Sequence, residues 1–561
     1  MAQTRRFHQQ PENHPDMPYP DDPTDLARRR ILQAAMLAPM LYGLDAAAQT
    51  APAAAPGAEP VRGGTLITAI YPAPNQLNVT FNNQYANSAV SSNIFDGLFT
   101  YDDAQNAHGV LATSWDVSPD GLAITLNLRQ GVKWHDGEPF TSADVRYSIL
   151  EVLKKVHPRA RITFSAVEDV ETPDAHTAVL RLSRPAPVIL NSLNTVEAQI
   201  IPRHLYEGTD VRTNPYNAKP VGTGPFRFKE WRKGQYVELE RNPDYWDEGK
   251  PYLDRVIFRD IPDPAGRAAA LETGDIQYLP FAGVPFSDVE RLRKQEDLVF
   301  EQRGYVYNAQ IYFLMFNLKR PVTGNLKVRQ AFAHALDKQG LIDTVWYGLS
   351  RPADGPIPST LTRFYTEDKP AYAYDPALAE KLLDEAGFPR KENGIRFSLQ
   401  LDLSPSSNAF VPAGEFLRQN LRKVGIDVRP VSSEPSAYLK KIWTDYDYDV
   451  IINGFSTLFD PEMGLTRQYW SKAVSPGVPY ISATGYANAE TDRIIEAYQR
   501  EIDPAKRTAL FHDLQRVTMA DLPLLPVMDA PFFTLYNRRV HGLDFDPDGS
   551  RSSFRNVWLS K

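Results

Sequence analysis

Between Val328 and Ile452 the apolar residues change their spacing in a fixed order, and that order restricts the fold more than any other feature of the chain. Val328, Phe332, Ala335 and Leu336 recur at helical spacing. Asp375 then reads as a helix cap, with Pro376 in the first turn, Leu378 and Leu382 on one face and Gly387 as the stop. Ile395, Phe397, Leu399 and Leu401 alternate as a strand. Phe416, Leu417, Leu421 and Val424 form another helical stripe that Gly425 ends, and Ile426-Asp427-Val428 is again extended. Val450-Ile451-Ile452 has the uninterrupted apolar character of a buried strand, and Asn453-Gly454-Phe455-Ser456-Thr457 follows it as a loop. Asp503-Pro504 opens a last long helix with Leu510, Phe511, Leu514 and Val517 inward. Helices alternating with strands pack as α/β layers. A chain of 561 residues exceeds what one core holds, so at least two lobes are expected.

Upstream, Asp120-Gly121 is a turn, and Leu122, Ile124, Leu126 and Leu128 alternate after it as a half-buried strand. Thr141 stands three residues before Asp144 in capping-box spacing, with Val145, Ile149, Val152, Leu153 and Val156 on one helical face up to His157-Pro158. The first residues are read as an address rather than as fold. Arg28-Arg29-Arg30 precedes an apolar stretch to Leu44, and Ala46 and Ala48 supply an A-x-A cleavage site. Gln33, Pro39, Gly43 and Asp45 interrupt that stretch, which is too short for an anchor of about 20 apolar residues. A twin-arginine-like signal over 1–48, an Ala/Pro-rich linker over 49–61 and a periplasmic destination are therefore expected. The chain has no cysteine, which removes disulfides, thiolate metal sites and a lipid-modified cysteine. Its net charge of −8 is dispersed, so no basic stripe offers itself to nucleic acid.

The stretch Leu111 to Ser148 closely resembles the signature region of the bacterial solute-binding proteins for dipeptides, oligopeptides and nickel. Asn93-Ile94-Phe95-Asp96-Gly97-Leu98, Val221-Gly222-Thr223-Gly224-Pro225-Phe226 and Asp244-Tyr245-Trp246 extend the likeness, as do Val328-Arg329-Gln330-Ala331, Ala335-Leu336-Asp337-Lys338 and Tyr374-Asp375-Pro376. The resemblance implies a two-lobe periplasmic-binding-protein-like α/β fold with a hinge: lobe one over 62–310 and again over 526–561, a subdomain inserted near 101–202, and lobe two over 311–525. It also implies a monomer without cofactor that closes over a small molecule or peptide and hands it to the membrane permease of an ABC transporter.

In peptide binders of this family an aspartate four residues after the glycine of the pocket loop pairs with the ligand's amino group. Counted from Gly454, that position is Leu458, which cannot neutralise an ammonium ion. The candidate wall is therefore Gly454, Phe455, Ser456, Thr457, Leu458 and Phe459, with Tyr312, Met315 and Asn317 from the first crossing. Arg467 is the candidate partner of a ligand carboxylate. These residues point to a ligand with less positive charge or more apolar area than a free peptide amine. A short peptide or amino-acid conjugate is the first reading, and a metal chelate or opine-like compound the second. An exported hydrolase with paired carboxylates is the reading from another class, without support in the spacing. Asp544 to Gly549 resembles a calcium loop, but Arg555 stands where a bidentate glutamate is needed, so an ordinary turn is expected.

Overall fold

The computed structural model describes residues 59–561 apart from Asp103 and 546–548; the expected signal and most of the expected linker lie outside the described residues. Two sheets organise the rest. A seven-stranded sheet runs in the order Leu298–Glu301, Thr534–Asn537, Tyr278–Leu279, Thr65–Ile70, Arg255–Asp260, Tyr236–Arg241, Phe226–Arg232. A five-stranded sheet runs Ile426–Ser432, Phe397–Leu403, Val450–Ser456, Gln310–Phe316, Leu524–Asp529. The chain crosses from the first sheet to the second between Glu301 and Gln310 and returns between Asp529 and Thr534. The return comes later than position 526, because Leu524–Asp529 stays paired with Gln310–Phe316 as far as the Ile311–Asp529 partners.

The five-stranded sheet is apolar on both faces, as a sheet covered by helices on both sides must be. On one face Tyr312, Leu314, Phe316, Val450 and Ile452 meet Val328, Phe332, Leu383 and Leu417 from the helices Leu326–Ala335, Pro376–Glu385 and Phe410–Arg422. On the other, Ile311, Phe313, Met315 and Ile451 meet Tyr438, Ile494, Phe511 and Leu514 from Pro435–Trp443, Ala489–Tyr498 and Pro504–Asp521. Asp375 caps its helix by accepting from the Leu378 amide at 2.9 Å, and Gly387 takes φ +86° at the stop. The expected inward face of that helix is turned by one residue. Ala379 and Leu383 are fully buried while Leu378 and Leu382 are half-buried, because the helix packs sideways against Leu326–Ala335.

An antiparallel four-stranded sheet, Ala112–Val117, Ala123–Leu128, Thr177–Leu182, Val167–Asp174, is inserted into the first half. Ile124, Leu126 and Leu128 point inward as the alternation requires, and Thr141 and Asp144 form the expected capping box. The helix they start, Ser142–Tyr147, widens into a π segment at Ser148–Leu153.

Several signature segments converge on one buried carboxylate. Asp96 accepts hydrogen bonds from the Trp246 indole at 2.8 Å, the Tyr245 hydroxyl at 3.1 Å and the Thr223 hydroxyl at 3.3 Å. Gly222 lies so close to the Ile94 carbonyl that a Cβ there would stand 1.9 Å from its oxygen. His135 links the turn at Trp134–Gly137 to the same loop, with one ring nitrogen 3.0 Å from the Gly224 carbonyl and the other accepting from the Gly222 amide at 3.2 Å. These motifs hold the first lobe together and stand apart from the crossings.

Candidate ligand cavity between the sheets

The site follows from one strand pair. Gln310–Phe316 and Val450–Ser456 are antiparallel with Gln310 opposite Ser456, Ile311 opposite Phe455 and Tyr312 opposite Gly454. Gly454 and Phe455 therefore lie in a strand, and the loop begins at Thr457 rather than at Asn453, because pairing with the crossing strand continues to Ser456. Side chains alternate across a strand. Gln310, Tyr312 and Ser456 thus face the cavity side, while Ile311, Phe313 and Phe455 face the opposite core. A Cβ on Gly454 would meet Gln310 Cδ at 2.9 Å and Tyr312 Cδ1 at 3.0 Å, so glycine leaves room for both side chains.

The cavity has a volume of about 500 Å3 and is bounded on the second lobe by Tyr312, Ser406, Ser407, Asn453, Leu458 and Arg467. The first lobe and the crossings contribute Arg159, Phe281, Asn308, Phe532 and Arg551. A second cavity of similar volume, about 500 Å3, adjoins it past Phe281, Ala282, Phe286, Ser406 and Ser407, and is walled by Tyr71, Tyr85, Leu279 and Val345. Among the described residues nine non-glycine residues have positive φ, and five of them, Phe281, Ala282, Tyr347, Leu458 and Tyr480, line these two spaces. Left-handed backbone costs a bulky residue free energy, and such strain concentrates where a binding surface needs a particular shape.

Of the expected wall, Gly454, Ser456, Leu458, Arg467 and Tyr312 border the cavity, and Phe455 reaches it only from below, with its ring 5.9 Å from that of Phe313. Thr457, Phe459, Met315 and Asn317 are not on its lining. Thr457 is fully buried. Phe459 packs its ring 4.6 Å from Tyr101 and 4.8 Å from Tyr307, and its carbonyl accepts from Gln105 Nε2 across the two lobes at 3.0 Å. Met315 lies in the core opposite Ile451, because the crossing strand leads away from the cavity after Tyr312. Asn317 donates to the Tyr448 carbonyl at 2.9 Å and the Tyr446 carbonyl at 3.0 Å, holding the turn at the far end of that strand.

Asp460, just beyond the loop, is spent on the scaffold. It accepts from Asn191 of the inserted subdomain at 2.8 Å, the Tyr498 hydroxyl at 2.8 Å, the Glu462 amide at 3.0 Å and the Arg507 guanidinium. Burial opposes its charged form, but the charge and hydrogen bonds of Arg507 outweigh burial and hold its pKa below the ordinary value. Glu462, 3.0 Å from Arg507, is pushed the other way, by burial first and also by the neighbouring charge of Asp460.

Two arginines, Arg159 and Arg551, are the part of the wall that spacing did not reveal. Arg159 is clamped by buried Glu197, which also receives the Tyr307 hydroxyl. Arg551 lies over the rings of Tyr307 at 5.3 Å and Phe281 at 5.7 Å. Arg467 borders the cavity and donates its Nε to the Gly464 carbonyl at 3.1 Å, and its Nη groups make no hydrogen bond to protein among the described residues. Burial, and then the nearby charge of Arg159, bring the Arg467 pKa down to about 10, so it stays cationic at neutral pH. Arg159 and Arg551 stand far from the loop in sequence and carry no motif, so only the fold assembles them.

Two lobes joined by two crossings, with a cavity at the seam, define a binding protein of the hinged two-lobe class. A family profile described as bacterial extracellular solute-binding proteins, family 5 Middle, matches residues 106–477. The chain belongs to that family of ABC-transporter solute-binding proteins. It is 33% identical over 443 residues to a protein of Brucella ovis named as a candidate ABC transporter peptide-binding protein, covering 76% of this chain and 80% of that one. It is similar to the solved oligopeptide-binding protein AppA of Bacillus subtilis in complex with a nonapeptide: TM-score 0.75, 26% identity, 90% of this chain and 100% of that one. It is also similar to AgaA of A. tumefaciens in complex with agropinic acid: TM-score 0.73, 27% identity, 89% of this chain and 99% of that one. Among the described residues no helix is long and apolar enough to cross a membrane.

Proposed function

We propose that this chain, exported to the periplasm and acting as a monomer, takes one short peptide or amino-acid conjugate into the cavity bounded by Tyr312, Gly454, Leu458 and Arg467 and delivers it unchanged to a membrane permease. The observation that carries the reading is the cavity itself. It lies where the two crossings meet the end of the Gln310–Phe316 and Val450–Ser456 pair, so closing the lobes encloses a ligand between them. A ligand drives closure only through contacts it makes better in the closed form, and residues of both lobes border the space. A binder rather than a hydrolase is supported by the chemistry of the wall, which is made of guanidinium, amide, hydroxyl and aromatic groups.

The reading is tested by incubating the protein with a mixed library of di- to tetrapeptides and acylated amino acids, separating it rapidly, and analysing what is retained by mass spectrometry. One intact ligand per chain and a rise in melting temperature are expected. Recovery of cleaved ligand would refute the non-catalytic reading, and retention of no library member would refute the ligand class.

A further inference from the structure

We propose that the ligand is an anion whose amine is masked, a carboxylate-bearing N-acylated amino acid or dipeptide, with its carboxylate on the two Nη groups of Arg467. The inference rests on the capture reading above and names the ligand chemistry of the same cavity.

Three observations lead to it. First, charge: among the described residues the two adjoining cavities are lined by Arg159, Arg267, Arg467 and Arg551 and by no aspartate or glutamate. Arg159 is neutralised by Glu197 behind it, and Arg267 is engaged with the carbonyls of Ile261 at 2.7 Å, Pro262 at 2.8 Å and Gly283. Among the described residues Arg467 has no carboxylate in its ion pairs or hydrogen bonds, and it borders the cavity with its Nε held by the Gly464 carbonyl. A guanidinium held in this way offers parallel N–H groups that match a carboxylate.

Second, the neutral polar groups that face the cavity from the strand pair can donate: Gln310, Tyr312 and Ser456 lie on that face, and Ser456 Oγ accepts from Gln310 Nε2 at 3.4 Å, which leaves its hydroxyl hydrogen for an incoming acceptor. Third, no side chain of the wall can neutralise an ammonium ion. Leu458 occupies the loop position where a carboxylate would serve, and enclosing an unpaired ammonium is costly. The adjoining cavity, with Tyr71, Tyr85, Leu279, Phe281 and Val345, offers apolar and aromatic surface to an acyl group instead.

Titration calorimetry with three dipeptide probes tests this: N-acetyl-Ala-Glu, free-amine Ala-Glu, and Lys-Ala amide. The wild-type protein is expected to bind N-acetyl-Ala-Glu at least 100-fold more tightly than Lys-Ala amide and at least 10-fold more tightly than Ala-Glu, with affinity that weakens as salt is added. Arg467→Gln is expected to lose at least 10-fold on the acetylated probe. Leu458→Asp, which puts a carboxylate into the wall, should shift preference toward the free amine. Circular dichroism and melting of both variants separate lost recognition from lost fold. Lys-Ala amide binding as tightly as the acetylated probe, or Arg467→Gln leaving the latter unchanged, would overturn the proposal while leaving the capture reading intact. Binding of a neutral library peptide with none of the acidic probes would also overturn it. Failure of every peptide and conjugate, charged or neutral, would instead count against the capture reading.

Discussion

Asp460→Asn removes one negative charge from a cluster in which Arg507 is almost fully buried and Asp460 completely so. The asparagine keeps an acceptor for the Tyr498 hydroxyl, but it turns an amide donor toward either Arg507 or Asn191. Breaking a buried ion pair from one side costs about 3–5 kcal/mol. Glu462 at 3.0 Å still faces Arg507 and ionises more readily once Asp460 is neutral, so the low end, about 3 kcal/mol, is expected. With an unfolding entropy of about 2 cal/mol/K per residue and roughly 200 residues in the second lobe, the melting temperature should fall by about 7 °C. Urea titration at pH 7 and calorimetry measure both quantities. The double variant Asp460→Asn, Arg507→Met should recover part of the loss, because an uncharged pair leaves no buried cation. Ligand affinity should fall only by about fivefold, the worth of one hydrogen bond of about 1 kcal/mol to Asn191 across the lobes. A melting shift below about 2 °C would show that the cluster does not carry the second lobe in this way.

Other perturbations follow from the same structure. Gly222→Ala should cost more than about 3 kcal/mol and reduce the yield of folded protein, since its Cβ would collide with the Ile94 carbonyl; denaturant unfolding measures this, and a neutral result would contradict the close approach. His157 is fully buried and burial lowers its pKa to about 4, so below about 6.5 the unfolded chain takes up a proton that the folded chain does not. Stability should therefore be complete above pH 6.5 and fall as pH drops toward 4, by an amount on the order of 3 kcal/mol, and His157→Gln should flatten that part of the profile in urea titrations. Glu197 is held down to about 2 although burial opposes its charge, because the charge and hydrogen bonds of Arg159 prevail. Its contribution is present above about pH 4.5 and lost on further acidification toward 2, and Glu197→Gln should remove that acid limb from the stability profile.

The architecture was legible because periodicity and punctuation are local. Asp375, Gly387, the Thr141–Asp144 box and the alternation from Ile124 to Leu128 each act within a few residues, and each works as read. The cavity was legible only in part. Tyr312, Gly454, Leu458 and Arg467 lie near its edge and could be reached by counting along the crossing strand and the loop. Met315 and Asn317 could not be placed, because alternation gives the face of a strand but not how far along it the cavity ends. Phe455 was read as a loop residue, since nothing in its neighbours announces that strand pairing runs on to Ser456. Arg159 and Arg551 are brought to the wall by contacts between segments hundreds of residues apart, and an isolated arginine in a sequence looks the same whether it is solvated or enclosed.

The account depends most on the space between the sheets being where a solute is held. Gly454→Phe drives a ring into that space from the strand and displaces Gln310 and Tyr312, which a Cβ there would already meet at 2.9 and 3.0 Å. Native mass spectrometry of the wild-type protein and of this variant, both purified without unfolding and checked for equal circular dichroism, is the most direct test. A small adduct of one per chain on the wild type that the variant lacks is expected; an adduct equally abundant on both would place the ligand elsewhere and contradict the account.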